Sequence, residues 1–163
     1  MLTTGFGGPH GIINDLAALS DGYVLTQRML GWLDALTAAN IRPTVARQPH
    51  ESDQASYDGA RLLLASEPRP TGQLCFSDRM AQEAVQAAQD LGLDIPSDLS
   101  DVGFDDNPLA RCMRPALTTD RQDVTAKGRA AAALTQAIER ARQGATSRQE
   151  HLHLPQSSSF EHR

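Results

Sequence analysis

The 163 residues make one ordinary domain, 40% hydrophobic and only 4% aromatic, so its core must be aliphatic. A net charge of −5 argues against a free-standing nucleic-acid binder, which usually shows a basic stripe. The two cysteines, Cys75 and Cys112, are too few and too far apart for a disulfide framework or a C-x-x-C pair, and both sit among apolar residues as core thiols.

No run approaches the roughly 18 apolar residues of a membrane span. "MLTTGFGGPHG" has neither the basic start nor the apolar stretch of a secretory signal, which predicts a cytoplasmic protein. Leu2 to Thr4 forms a short candidate strand, "GFGGPHG" is loop chemistry, and "IINDLAAL" suggests a short helix. From Val24 to Ala39 the apolar residues Val24, Leu25, Met29, Trp32, Leu33 and Leu36 recur in steps of three and four, the period of a helix. Trp32 is assigned to packing on that helix. "RPTVARQ" reads as a strand. "SDQASYDGARLLLASEP" reads as a helix with Ser52 as its N-cap, ending before Pro68.

Gln73 to Phe76 form a buried strand. "DRMAQEAVQAAQDLGLDIP" follows as a helix with Asp78 near its start, Gly92 as the residue after its end and Pro96 beyond. "DLSDVGF" is the next strand, and "NPLARCM" is one helical turn with Pro108 at its first position. "ALTTD" is extended. "DVTAKGRAAAALTQAIERARQG" is a long helix with Asp123 at its start and arginines in its last turns. "EHLHLP" is a last strand and "QSSSFEHR" a polar tail.

Helices alternate with strands, which predicts an α/β fold: an open, mainly parallel sheet with helices on both faces. Such sheets bind ligands in the crevice beyond the carboxyl ends of their strands. Two strands here end in polar pairs, Ser77-Asp78 and Asp105-Asp106. Asp78 and Asp106 are read as caps of the helices that follow. Asp105, directly after its strand, is the better candidate for a ligand group. Arg111 and Arg114 are read as surface charges. Asp101 stands out, because a carboxylate inside a parallel sheet is costly unless paired.

Catalysis has little support. Asp78, Asp105 and Asp106 have the oxygen chemistry to hold Mg²⁺. However, there is no G-x-x-x-x-G-K-[ST], no G-x-S-x-G, and the five histidines are scattered. His151 and His153 alternate on a strand face without an evident third ligand, so no metal and no cofactor is expected.

The stretch "FSDRMAQEAVQAAQDLGLDIPSDLSDVGFDDNPLARCMRPALTTDRQDVTAKGRAAAAL" closely resembles the effector-sensing domain of the LacI/GalR transcription regulators, which is similar to type I periplasmic binding proteins. "TQRMLGWLDAL" and "SYDGARLLLAS" extend the resemblance upstream, so it covers about Val24 to Pro155. It implies no catalysis: a small sugar-like effector binds and controls DNA binding of the parent protein. The alternative is a soluble sugar-binding protein of transport type.

Carried over residue by residue, the resemblance assigns effector binding to Arg28, Ser77 and Asp105, with Arg28 and Asp105 facing one cleft. Ser77 stands where many members carry Asn. The region "QPHESDQ", with His50 and Glu51, lacks an aromatic platform. The resemblance also implies that residues 1–118 and 150–163 form mostly the C-terminal subdomain and that 119–149 belong to the N-terminal one. The DNA-binding helix-turn-helix is expected to be missing, so DNA contact would be made only through it. A homodimer is implied, with no membrane partner. The apolar stripe Val124, Ala131, Leu134, Ile138 and Ala141 of the long helix should then lack most of its partner, and the helix should project from the compact subdomain.

Overall fold

A computed structural model describes residues 1–4, 10–13, 23–48, 52–142 and 160–161. In chain order the elements are β1 (Leu2–Thr4), β2 (Gly11–Ile13), α1 (Tyr23–Ala38), β3 (Val45–Gln48), α2 (Asp53–Leu64), β4 (Gly72–Leu74), α3 (Asp78–Asp90), β5 (Ser100–Asp105), α4 (Pro108–Cys112), β6 (Thr118–Arg121), α5 (Val124–Arg142) and β7 (Phe160–Glu161).

The strands form two ladders, β1-β3-β2 and β4-β5-β6-β7. A parallel bridge from Leu2 to Cys75, with Phe76 N donating to Leu2 O at 3.2 Å, joins them side by side. The pairs β1–β3, β4–β5 and β5–β6 are parallel, and β2 and β7 close the two ends antiparallel. The chain is thus an α/β protein with a mainly parallel open sheet.

Alternation along the strands assigns the faces. Cys75 Sγ donates to Asp101 Oδ1 at 3.5 Å, so these two residues share a face, and Gly103 lies two residues further along the same strand. α3 packs on that side, with α2 beside it. Phe76 points the other way, where Trp32 of α1 meets it edge-to-face with ring centroids 5.0 Å apart. The core between these layers is aliphatic and small, built around Leu2, Met29, Val45, Leu63, Phe76, Met80, Leu117 and a run of alanines.

The helix starts follow local chemistry. Ser52 caps α2, its hydroxyl accepting from Ala55 N at 3.2 Å. Gly92 follows α3 with φ +76°, a conformation that favours glycine. Asp123 Oδ1 accepts from Ala126 N at 2.7 Å at the start of α5.

Several sequence expectations are corrected. Gly11–Ile13 is a strand and not the start of a helix, since two β-branched isoleucines suit the edge of a ladder. The rest of "IINDLAAL", the strand "EHLHLP", His50, Glu51, His151 and His153 lie outside the described residues. Phe160–Glu161, read as polar tail, pairs with β6. Cys112 is exposed while Cys75 is buried, because one turn of helix leaves the Cys112 side facing solvent. α5 buries none of its residues, and Val124, Leu134 and Ile138 are 69%, 55% and 45% exposed.

Asp101 is buried, and its Oδ2 has no hydrogen-bond partner. Burial raises its pKa to about 7, with the Cys75 thiol and the Val102 N–H offsetting only part of that. An acid whose pKa is raised on folding stabilises the fold below its unfolded value, near 4, and that stability is lost as pH rises through about 7. Asp101→Asn should therefore match the wild type near pH 4 and exceed it at pH 8 by roughly 2–4 kcal/mol in urea unfolding. An equal gap at both pH values would refute the ionisation argument. A second test concerns close packing. A Cβ on Gly103 would lie 2.8 Å from Leu117 Cδ2 and closer still to the Asp78 carboxylate. Gly103→Ala should cost about 1–3 kcal/mol by the same assay, and a neutral effect would mean that α3 and the Leu117 segment yield freely.

Candidate functional site

The carboxyl ends of β4, β5 and β6 bring the chemistry together. β4 leads through Phe76 into Ser77 and Asp78. Ser77 is the N-cap of α3: its hydroxyl oxygen accepts from Met80 N at 3.2 Å. Asp78, read from sequence as the cap, sits one residue inside the helix and is fully buried. Its Oδ2 accepts from Asn107 N at 2.8 Å, and its Oδ1 accepts from the Thr119 hydroxyl. Thr119 Oγ1 in turn accepts from Asp106 N at 3.3 Å. One carboxylate therefore ties the start of α3 to the loop after β5 and to β6. Burial pushes its pKa up, while the Thr119 and Asn107 hydrogen bonds pull it down.

β5 ends in two aspartates at positive φ, 114° at Asp105 and 52° at Asp106. Asp tolerates the left-handed region near 52° fairly well, whereas 114° is sparsely populated for any side chain. Such backbone costs of order 1–3 kcal/mol per residue and persists only where the surroundings enforce it. Here the surroundings are explicit. Asp106 carries a side chain only 8% exposed and accepts from Arg121 Nε at 2.5 Å and Arg111 Nη2 at 3.1 Å. Burial pulls its pKa up, but the two arginines outweigh that and hold it below the usual carboxylate range. The cap of α4 is Asn107, whose Oδ1 accepts from Leu109 N at 2.9 Å. Asp106 is thus an ion-pair anchor and not a cap. Arg111 and Arg114 are exposed as expected, yet both are engaged: Arg114 Nη1 donates to Met113 O at 2.7 Å beyond the end of α4.

Asp105 is turned by this anchored loop. Its Oδ1 accepts from Gln122 Nε2 on the segment between β6 and α5, and Gln122 Oε1 accepts from Lys127 Nζ of α5. Arg28 of α1 reaches over the same ends. Its Nη1 donates to Phe76 O at 2.6 Å, and its guanidinium lies 3.5 Å from the centroid of the Phe104 ring, one residue before Asp105. The structure therefore places Arg28, Ser77 and Asp105 on the three segments that converge at the carboxyl ends of β4 and β5.

Asp120 was not singled out by sequence reasoning. It pairs in register with Phe104, so its side chain shares the Phe104 face where Arg28 lies. The available signal was an acid inside "LTTDRQ", a strand segment that otherwise needs no charge. Among the described residues no three His, Cys, Asp or Glu side chains converge to hold a metal ion, and no helix is long and apolar enough to cross a membrane.

A family model for a periplasmic binding protein-like domain matches residues 16–158. The HTH-type transcriptional repressor PurR of Pectobacterium carotovorum subsp. carotovorum (strain PC1) is 35% identical over 127 residues, 77% of this chain and 37% of its own. The HTH-type transcriptional regulator MalR of Streptomyces coelicolor is 54% identical over 112 residues, 68% of this chain and 31% of its own. Among solved structures, the lac repressor dimer bound to operator and the anti-inducer ONPF is 27% identical with a TM-score of 0.65, over 89% of this chain and 46% of that one. A regulatory protein of the LacI family from Chloroflexus aggregans shares the fold at a TM-score of 0.70 and 24% identity, over 90% of this chain and 48% of that one. The chain spans 37% and 31% of the length of the two curated relatives. It belongs to the periplasmic binding protein-like domain family, as an effector-sensing domain of the LacI type.

Proposed function

We propose that this chain binds a small, sugar-like effector at the carboxyl ends of β4 and β5, and that in its parent regulator this binding controls attachment to DNA. Arg28, Ser77 and Asp105 are the effector-binding residues. The observation that carries the reading is the convergence at this sheet end: the Asp105 carboxylate stands directly beyond Phe104, whose ring the Arg28 guanidinium covers at 3.5 Å, and Ser77 ends the neighbouring segment. A carboxylate accepts two hydroxyl donors side by side, and a forked guanidinium donates to ring and hydroxyl oxygens. Ser77 adds a short hydroxyl at the end of β4.

The relatives named as repressors, including a ribose operon repressor of Haemophilus influenzae that is 40% identical over 102 residues, support a regulatory role without catalysis. DNA is reached through a helix-turn-helix of the parent protein, the setting is cytoplasmic, and the working unit is a homodimer. We assign α5 to a second subdomain and the sheet with the helices packed on it to the first; of the expected second-subdomain segment 119–149, residues 119–121 go with the first, because β6 pairs with β5. The support is α5, whose apolar residues find no cover among the described residues. The effector then works by favouring one arrangement of the two subdomains over another.

The test is a protein-observed NMR titration of the chain with ribose, lactose and a nucleobase panel. One of the sugars should shift the amides around Phe104 and Gln122. Asp105→Asn, which keeps the shape and removes the charge, should weaken that binding about tenfold or more, as expected for loss of a charge-assisted hydrogen bond of about 1.5–3 kcal/mol. Sugar binding left intact in both Asp105→Asn and Arg28→Lys would overturn the site assignment.

A further inference from the structure

Asp120 is the acid that neither the fold nor the proposed effector grip accounts for. It stands in β6 opposite Phe104 in register, on the face where the Arg28 guanidinium covers that ring. The residue is half-buried, and its Oδ1 is enclosed with no hydrogen-bond partner. An acid kept for structure is normally satisfied, as Asp78 and Asp106 are at the same sheet end. A threonine or valine would fill this strand position without stranding a charged oxygen. The charges felt by Asp120 are Arg28 and Lys127 on one side and Asp105 on the other. Two acids and two bases thus offset one another at this sheet end. Arg28 donates from Nη1 to Phe76 O and covers the Phe104 ring, and Lys127 donates to Gln122.

We propose that Asp120 is a specificity-determining residue of the effector cleft: its charge favours an uncharged polyhydroxylated effector and excludes effectors bearing phosphate or carboxylate at that end. The inference rests on the reading that Arg28 and Asp105 mark the effector cleft. A phosphate would meet the carboxylates of Asp105 and Asp120, which offset the attraction of Arg28 and Lys127, so its desolvation would be poorly compensated. Burial pushes the Asp120 pKa up more than Arg28 and Lys127 pull it down, in keeping with a carboxyl group that still lacks a donor.

The experiment compares the 163-residue chain with Asp120→Asn, Asp120→Val and Asp105→Asn. Each is titrated with ribose, lactose and maltose and with ribose 5-phosphate, glucose 6-phosphate and gluconate, at low and high salt, by calorimetry and amide NMR. The wild type should prefer a neutral sugar over its anionic counterpart at least tenfold, and salt should narrow that gap. Asp120→Asn should cut the preference at least fivefold and remove its salt dependence, a change that a merely structural acid would not produce. If Asp120→Val fails to fold, the near-isosteric Asn variant decides alone. A preference unchanged in Asp120→Asn, with binding lost in Asp105→Asn, overturns the role of Asp120 and leaves the cleft standing. A wild type that prefers the phosphates does the same. A wild type that binds none of the six overturns the cleft reading and this inference with it.

Discussion

A single buried carboxylate organises the sheet end where this chain presents its polar groups. Asp78 is fully enclosed at the start of α3 and accepts from Asn107 N and from the Thr119 hydroxyl. A hydrogen bond to a charged group contributes about 1.5–3 kcal/mol, and a charged acceptor removed from such a place leaves buried donors unsatisfied. Desolvation of the carboxylate offsets much of the gain, and burial accordingly pushes its pKa up. Its value therefore lies in geometry more than in net stability. It forces β5 to carry glycine at position 103, because any side chain there would strike both Asp78 and Leu117. It also fixes where the chain must turn after β5.

That turn explains the pair of acids at the end of β5. Between Gly103, pinned against Asp78, and Asn107, whose N–H is held by the same carboxylate, only three residues remain to reverse the chain. Two of them adopt positive φ. Asp106 spends its charge on Arg111 and Arg121 and so holds the turn from outside. Asp105, identical in chemistry and adjacent in sequence, is left facing Gln122 and the neighbourhood of Arg28. The division of labour between the two carboxylates comes from the turn and not from the side chains themselves.

Much of this was legible in the residues. The apolar period located α1, cap and breaker residues such as Ser52, Pro68, Gly92 and Asp123 located α2, α3 and α5, and the strand–acid junctions at 76–78 and 104–106 pointed to the polar edge of the sheet. What stayed hidden were decisions made by tertiary contact. Ser77 and Asp78 are both good cap residues, and only the approach of Asn107 and Thr119 from elsewhere draws Asp78 inward and leaves the cap to Ser77. Cys112 has apolar neighbours in sequence but lies on the outer side of a single turn. Asp101 stood out as a carboxylate inside a parallel sheet, costly unless paired. The strand is intact and the cost is met by a pKa near neutrality beside the Cys75 thiol. Asp120 escaped notice because its meaning depends on register: only pairing with Phe104 sets it near Arg28.

The same register has a mechanical consequence. β6 runs directly into Gln122, which donates to Asp105 and accepts from Lys127 in the first turns of α5. The polar site and the exposed helix therefore share one hydrogen-bonding side chain. Under the proposed reading, an effector hydroxyl that binds Asp105 competes with Gln122 for the same oxygen. A sensing domain needs only about 1–3 kcal/mol of coupling between effector and global arrangement. One charge-assisted hydrogen bond gained or lost is of that size. Relaying it requires no long chain of contacts, because α5 begins two residues beyond Gln122. Under the same reading, Asp78 fixes the sheet end at which Asp105 is presented, and Gln122 links that end to the start of α5.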